Sequence, residues 1–129
     1  MRKTIKTGLL LCGASLVLAG VSSAAEIKDM IGTWKWTDYT VEVKECSTNP
    51  SGAGLCATVI DGPKNKGMEM IRSKLENKGG EFLGHIAHPA TGDIYDTKMT
   101  FKNADTWSMA GCVITNTAVC ATGDFVRVK

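Results

Sequence analysis

Three groups of residues in this 129-residue chain have the side chains to do chemistry: His85 with His88, the run Met68-Glu69-Met70, and the cysteines. The histidines suggest a metal. On a strand, however, residues three apart point to opposite faces, so the pair cannot chelate one ion without a bend. Pro89 follows His88 directly, and two surface or turn-edge histidines are the commoner outcome. Thioethers suit Cu(I), yet methionine more often fills gaps in a core. Neither a metal site nor a cofactor is therefore expected. Catalytic signatures are also missing, with no Gly-x-Ser-x-Gly elbow, no His-Glu-x-x-His and no phosphate-cradling glycine loop. Glu42, Glu45, Glu69, Asp93 and Asp96 read as solvated strand-face or turn residues, and no catalytic residue is singled out.

The cysteines carry the stronger signal. Cys12 falls in an N-terminal segment with a basic start at Arg2, Lys3 and Lys6, an apolar run from Leu9 to Leu18, and small residues at Val21-Ser22-Ser23-Ala24-Ala25. That is the layout of a secretory signal peptide, cut after Ala24 or Ala25, and its apolar run is too short for a membrane span. Leu11 before Cys12 argues against a lipid anchor. Four cysteines remain, and an even count in a small exported domain reads as two disulfides. Three pairings are open in principle. Cys46 and Cys56 enclose nine residues, Cys112 and Cys120 seven, and each pair brackets a turn-rich stretch suited to a bridge between neighbouring antiparallel strands. Neither spacing is that of a four-thiolate zinc site.

Removing residues 1–25 leaves 104 of the 129, one domain spanning 26–129. The 15 basic residues lose three to become 12 against 13 acids, so the mature charge is −1. Such a balance gives no pull toward nucleic acid. No later stretch has membrane-spanning length.

The elements that must position these groups are mostly strands. Around the turn Pro89-Ala90-Thr91-Gly92 lie two extended segments, Phe82 to His88 and Ile94 to Phe101. In the second, Tyr95, Thr97, Met99 and Phe101 alternate with polar residues, the period of a half-buried strand. Trp34 and Trp36, then Tyr39, Val41 and Val43, alternate in the same way. Leu55 to Ile60, Trp107 to Ile114, Val119 to Ala121 and Phe125 to Val128 complete seven or eight short strands, predicting a small all-β antiparallel barrel or sandwich. From Lys64 to Lys78 the apolar spacing of Met68, Ile71 and Leu75 turns helical, predicting one short helix or ordered loop. The alternation points all eight aromatic residues inward: Trp34, Trp36, Tyr39, Phe82, Tyr95, Phe101, Trp107 and Phe125. A barrel of this size is either just filled by its side chains or holds one small ligand. Large inward residues favour a filled interior, with ligand contact at a mouth lined by Trp36, Tyr95 and Trp107, with Met99 inside, and lidded by Met68 to Leu75.

The order of short motifs resembles a family. Gly32-Thr33-Trp34, Cys46, Leu55-Cys56-Ala57, Gly84-His85-Ile86, Pro89-Ala90-Thr91-Gly92-Asp93-Ile94-Tyr95, Ala110-Gly111-Cys112 and Phe125-Val126-Arg127-Val128 are similar to a bacterial family of small exported proteins, domain of unknown function 2147. The likeness spans essentially the whole mature chain and implies a lipocalin-like antiparallel barrel in the periplasm, with no assigned activity. Two departures stand out. An arginine-rich segment typical of the family is replaced by Asn65-Lys66-Gly67-Met68-Glu69-Met70-Ile71-Arg72. Its closing Trp-Thr-Arg is replaced by Phe125-Val126-Arg127. The expected function is a non-catalytic binding module for a small apolar ligand or an envelope component. The alternatives are a protein-interaction or structural module of the envelope, and a hydrolase whose paired carboxylates meet only in three dimensions.

Overall fold

Almost every stretch that alternates apolar and polar residues is a strand. The computed structural model describes residues 25–47 and 54–129; the expected signal peptide, up to residue 24, and most of the loop after Ser47 lie outside the described residues. A 3-10 turn, Ile27–Met30, leads into β1 (Gly32–Trp36), β2 (Tyr39–Glu45), β3 (Leu55–Asp61), β4 (Glu76–Lys78), β5 (Glu81–Ala87), β6 (Ile94–Asn103), β7 (Thr106–Val113) and β8 (Asn116–Arg127). The eight strands form one antiparallel sheet in the order β3-β2-β1-β8-β7-β6-β5-β4. The first and last strands of the chain meet in its middle, where Trp34 pairs with Arg127 and Lys35 with Val126.

The segment between β3 and β4 closes this curled sheet into a barrel. The apolar spacing predicts a short helix or an ordered loop here; the segment is extended and stands between two sheet edges. On the β3 side, Val59 N–H donates to Met68 O at 3.0 Å and Met70 N–H to Ala57 O at 2.7 Å. On the β5 side, Ala87 N–H donates to Met70 O at 2.8 Å and Arg72 N–H to His85 O at 2.9 Å. Met70 thus sends its amide to one edge and its carbonyl to the other. That division leaves the Ala57 amide without a backbone acceptor, and an unpaired amide inside a fold is costly. The Glu69 carboxylate supplies the acceptor, taking Ala57 N–H at 2.6 Å and Ile71 N–H at 3.0 Å. Consecutive residues Met70 and Ile71 are both buried, and so, four residues on from Ile71, is Leu75. This spacing mimics a helical stripe. The segment seals the side of the barrel and is not a lid over its mouth.

The core is aromatic, as the alternation predicts. Trp34, Tyr39, Phe82, Trp107 and Phe125 are buried, while Trp36 and Phe101 pack against them half-buried. Trp107 stacks on Phe125 with centroids 4.3 Å apart, Phe125 on Trp36 at 5.8 Å, and Trp36 on Tyr39 at 6.1 Å. Trp34 meets Trp107 and Phe101 edge-on. Such pairs contribute beyond the area they bury.

The end of the barrel beyond Trp34 is plugged by Arg127. Its guanidinium lies 4.3 Å over the Trp34 ring and donates to the carbonyls of Ile31, Asp29 and Ala104 at 3.0–3.2 Å and to the Asp105 carboxylate at 3.1 Å. The cysteines form the two bridges read from their spacing: Cys46–Cys56, next to the β2–β3 pair, and Cys112–Cys120, between opposed residues of β7 and β8.

Candidate ligand recess at the barrel mouth

The opposite end, where β1 finishes at Trp36, is not plugged by a charged side chain. Period two along β5 puts Phe82, Gly84, Ile86 and then His88 on the inner face. His88 therefore reaches the mouth just as the chain leaves the sheet. Its ring sits edge-to-face with Trp36 at 5.0 Å and tilted against Tyr95 of β6 at 5.6 Å. Beneath these three rings Met109 and Gly111 of β7 and Gly123 of β8 border a recess of about 30 Å³. That is room for one or two waters, or for a group the size of a methyl. Gly123 is needed here, because a Cβ at that position would run into the Trp36 indole nitrogen.

The cover over the mouth is the turn that follows His88. Gly92 N–H donates to His88 O at 2.7 Å and His88 N–H to Asp93 O at 2.8 Å, closing a tight loop. Gly92 adopts φ 80°, which glycine accepts at little cost. Pro89 is fully buried and lines the recess. Its carbonyl accepts from the Asn65 amide at 2.7 Å, tying the turn to the loop after β3. The Ala90 N–H donates to His88 Nδ1 at 3.0 Å. A neutral His88 therefore carries its ring proton on Nε2. Burial pushes the His88 pKa below the ordinary imidazole value, and the nearby Asp93 carboxylate opposes that shift in part.

Of the four ligand-contact residues expected from sequence, Trp36 and Tyr95 meet at this recess. Met99 and Trp107 lie deeper. Met99 is fully buried, opposite Met109 in the β6–β7 ladder, and Trp107 is stacked in the core on Phe125. The Trp107 indole N–H is buried with no hydrogen-bond acceptor. His88, expected from the sequence to be a surface or turn-edge residue, is instead the third ring of the recess, against Trp36 and Tyr95. Its parity with Ile86 was the available signal, outweighed by the adjacent proline. His85 points outward, its Nε2 4.0 Å from Asp96. Met70 is buried and Glu69 is engaged with two backbone amides, so the Met-Glu-Met run serves the seam. Among the described residues no group of three His, Cys, Asp or Glu converges as metal ligands.

Carboxylates are absent from the recess lining. They pair on the outer surface, Glu81 with Lys98 at 3.8 Å and Asp124 with Lys102 at 2.8 Å. A larger depression of about 900 Å³ at the Arg127 end is wide and open to solvent, and the cation beside it is committed to backbone carbonyls. The recess at the mouth is small, apolar and walled by aromatic rings, which suits recognition of an apolar group better. Compared with family models, curated proteins and solved structures, the chain matches none. No helix among the described residues is long and apolar enough to cross a membrane.

Proposed function

We propose that this protein is a non-catalytic binding barrel of the bacterial cell envelope, exported to the periplasm, that takes the small apolar end of a ligand between Trp36, His88 and Tyr95. The leader composition and the resemblance to the exported family support the location, and the two disulfides fit an oxidising compartment. The observation that carries the binding role is the recess itself. Its aromatic walls and glycine floor stay partly open in a barrel otherwise filled by its own side chains. A recess of about 30 Å³ admits only a terminal group, so the remainder of the ligand rests on the rim.

Native mass spectrometry of the mature protein with hexanoate as probe tests this reading. Ala121 borders the recess, and Ala121→Leu adds a side chain that fills it. Hexanoate adducts on the parent protein that disappear in Ala121→Leu at unchanged melting temperature support the proposal. Equal adducts on both proteins, or none on either, contradict it.

A further inference from the structure

We infer that His88 is a proton-operated latch on the recess: a proton on Nδ1 releases the Pro89 turn and opens the barrel mouth. This is regulation of the site proposed above, but the latch is defined by its own contacts and is testable without a ligand.

The geometry sets out the chemistry. His88 Nδ1 accepts the Ala90 amide at 3.0 Å, which requires a lone pair on that nitrogen. An imidazolium carries N–H on both nitrogens and accepts nothing. Protonation therefore turns an acceptor facing a donor into two donors facing each other. The turn has little to replace that bond. Pro89 has no amide hydrogen, and its carbonyl is held by Asn65 alone among side chains. The remaining ties are His88 N–H to Asp93 O, Gly92 N–H to His88 O and Asp93 N–H to Thr91 Oγ1, the last a long bond at 3.2 Å. All of these hydrogen bonds lie within the turn, so beyond Asn65 it is held to the barrel only by the packing of Pro89 and Ala90. A neutral ring is held there by Trp36 and Tyr95; a charged one gains by moving to water.

The groups around the ring fix the direction. From β1 it meets the Trp36 indole, backed by the Tyr39 phenol, and from β6 the Tyr95 phenol. Asp93, on its own turn, is the charge that acts on it. The loop that supplies Asn65 also carries Lys64 and Lys66, both exposed. Burial outweighs the Asp93 carboxylate, so the closed mouth holds its proton less tightly than a solvated histidine. The closed form is then fully favoured above the ordinary imidazole pKa. It loses ground as pH falls from there toward the depressed value, because the open form binds the extra proton.

Amide hydrogen exchange on the mature protein, followed by NMR between about pH 7.5 and about pH 4.5, reads the latch while the His88 ring resonances report its charge. We expect a several-fold loss of protection at Ala90 that tracks the His88 titration and persists in His85→Gln. In His88→Phe, which keeps a ring but has no acceptor, Ala90 should be poorly protected at every pH. Should that variant fail to fold, the parent and His85→Gln titrations decide alone. Protection at Ala90 that stays constant while His88 takes up its proton overturns the inference. A negative hexanoate experiment with a positive exchange result would remove the ligand and keep the latch.

Discussion

Trp36 lies face to face with Phe125, ring centroids 5.8 Å apart and planes within 16°, and this contact joins the first strand of the barrel to the last. The two residues come from opposite ends of the chain, so folding must bring the termini together before the aromatic stack can form. The same stack carries the mouth, since Trp36 is both a member of it and a wall of the recess.

Phe125→Ala should destabilise the protein by about 3–5 kcal/mol, the range for deleting a buried ring whose cavity cannot collapse. Phe125 is 1% exposed and is stacked on both faces, by Trp107 and by Trp36. Equilibrium denaturation checks this. A loss below about 1 kcal/mol would show that the stack does not hold the core.

The seam beside Glu69 makes a separate prediction. Glu69→Ala leaves the Ala57 and Ile71 amides without their acceptor, and should cost about 1–3 kcal/mol. Glu69→Gln keeps one carbonyl oxygen and should lose less. Hydrogen exchange should show the damage concentrated at Ala57, Val59 and Ala87, the amides that face the closing segment. Uniform loss across the sheet would mean that the segment is ornamental to closure.

These two contacts mark how far the sequence could be read. The aromatic stack was legible because period two along β1, β2, β6 and β7 needs only local information, and all of those strands keep it. The disulfides were legible for the same reason, since each bridges cysteines a turn apart. The seam was not. Met70 faces two strands that arrive from different parts of the chain, and its inward neighbours imitate a helical stripe while the backbone is extended. At the mouth, Trp36 and Tyr95 could be placed by alternation. Trp107 has the same parity but enters one step deeper, because the β7–β8 register sets it opposite Phe125. His88 was hidden by the proline after it.

Acid should weaken the plugged end. Hydrogen bonding to Lys129 is the main cause that holds the Asp105 carboxyl below the usual aspartate value, with Arg127 adding to it. The stabilisation is therefore complete above the ordinary aspartate pKa and is lost as pH falls through the depressed one. Asp105→Asn should flatten that part of the pH–stability profile while leaving stability near neutral pH only slightly reduced, because the group is exposed. A profile of unchanged slope in the variant would show that Lys129 and Arg127 do not hold the Asp105 carboxyl down.

The most direct test of the binding role is to titrate residues 26–129 with hexanoate and follow backbone amide shifts residue by residue. The account predicts saturable shifts clustered at Tyr95, Gly111 and Gly123, around the recess, with the Arg127 end unmoved. Shifts centred on Arg127 and Phe101, or none at the recess at saturating probe, would contradict it.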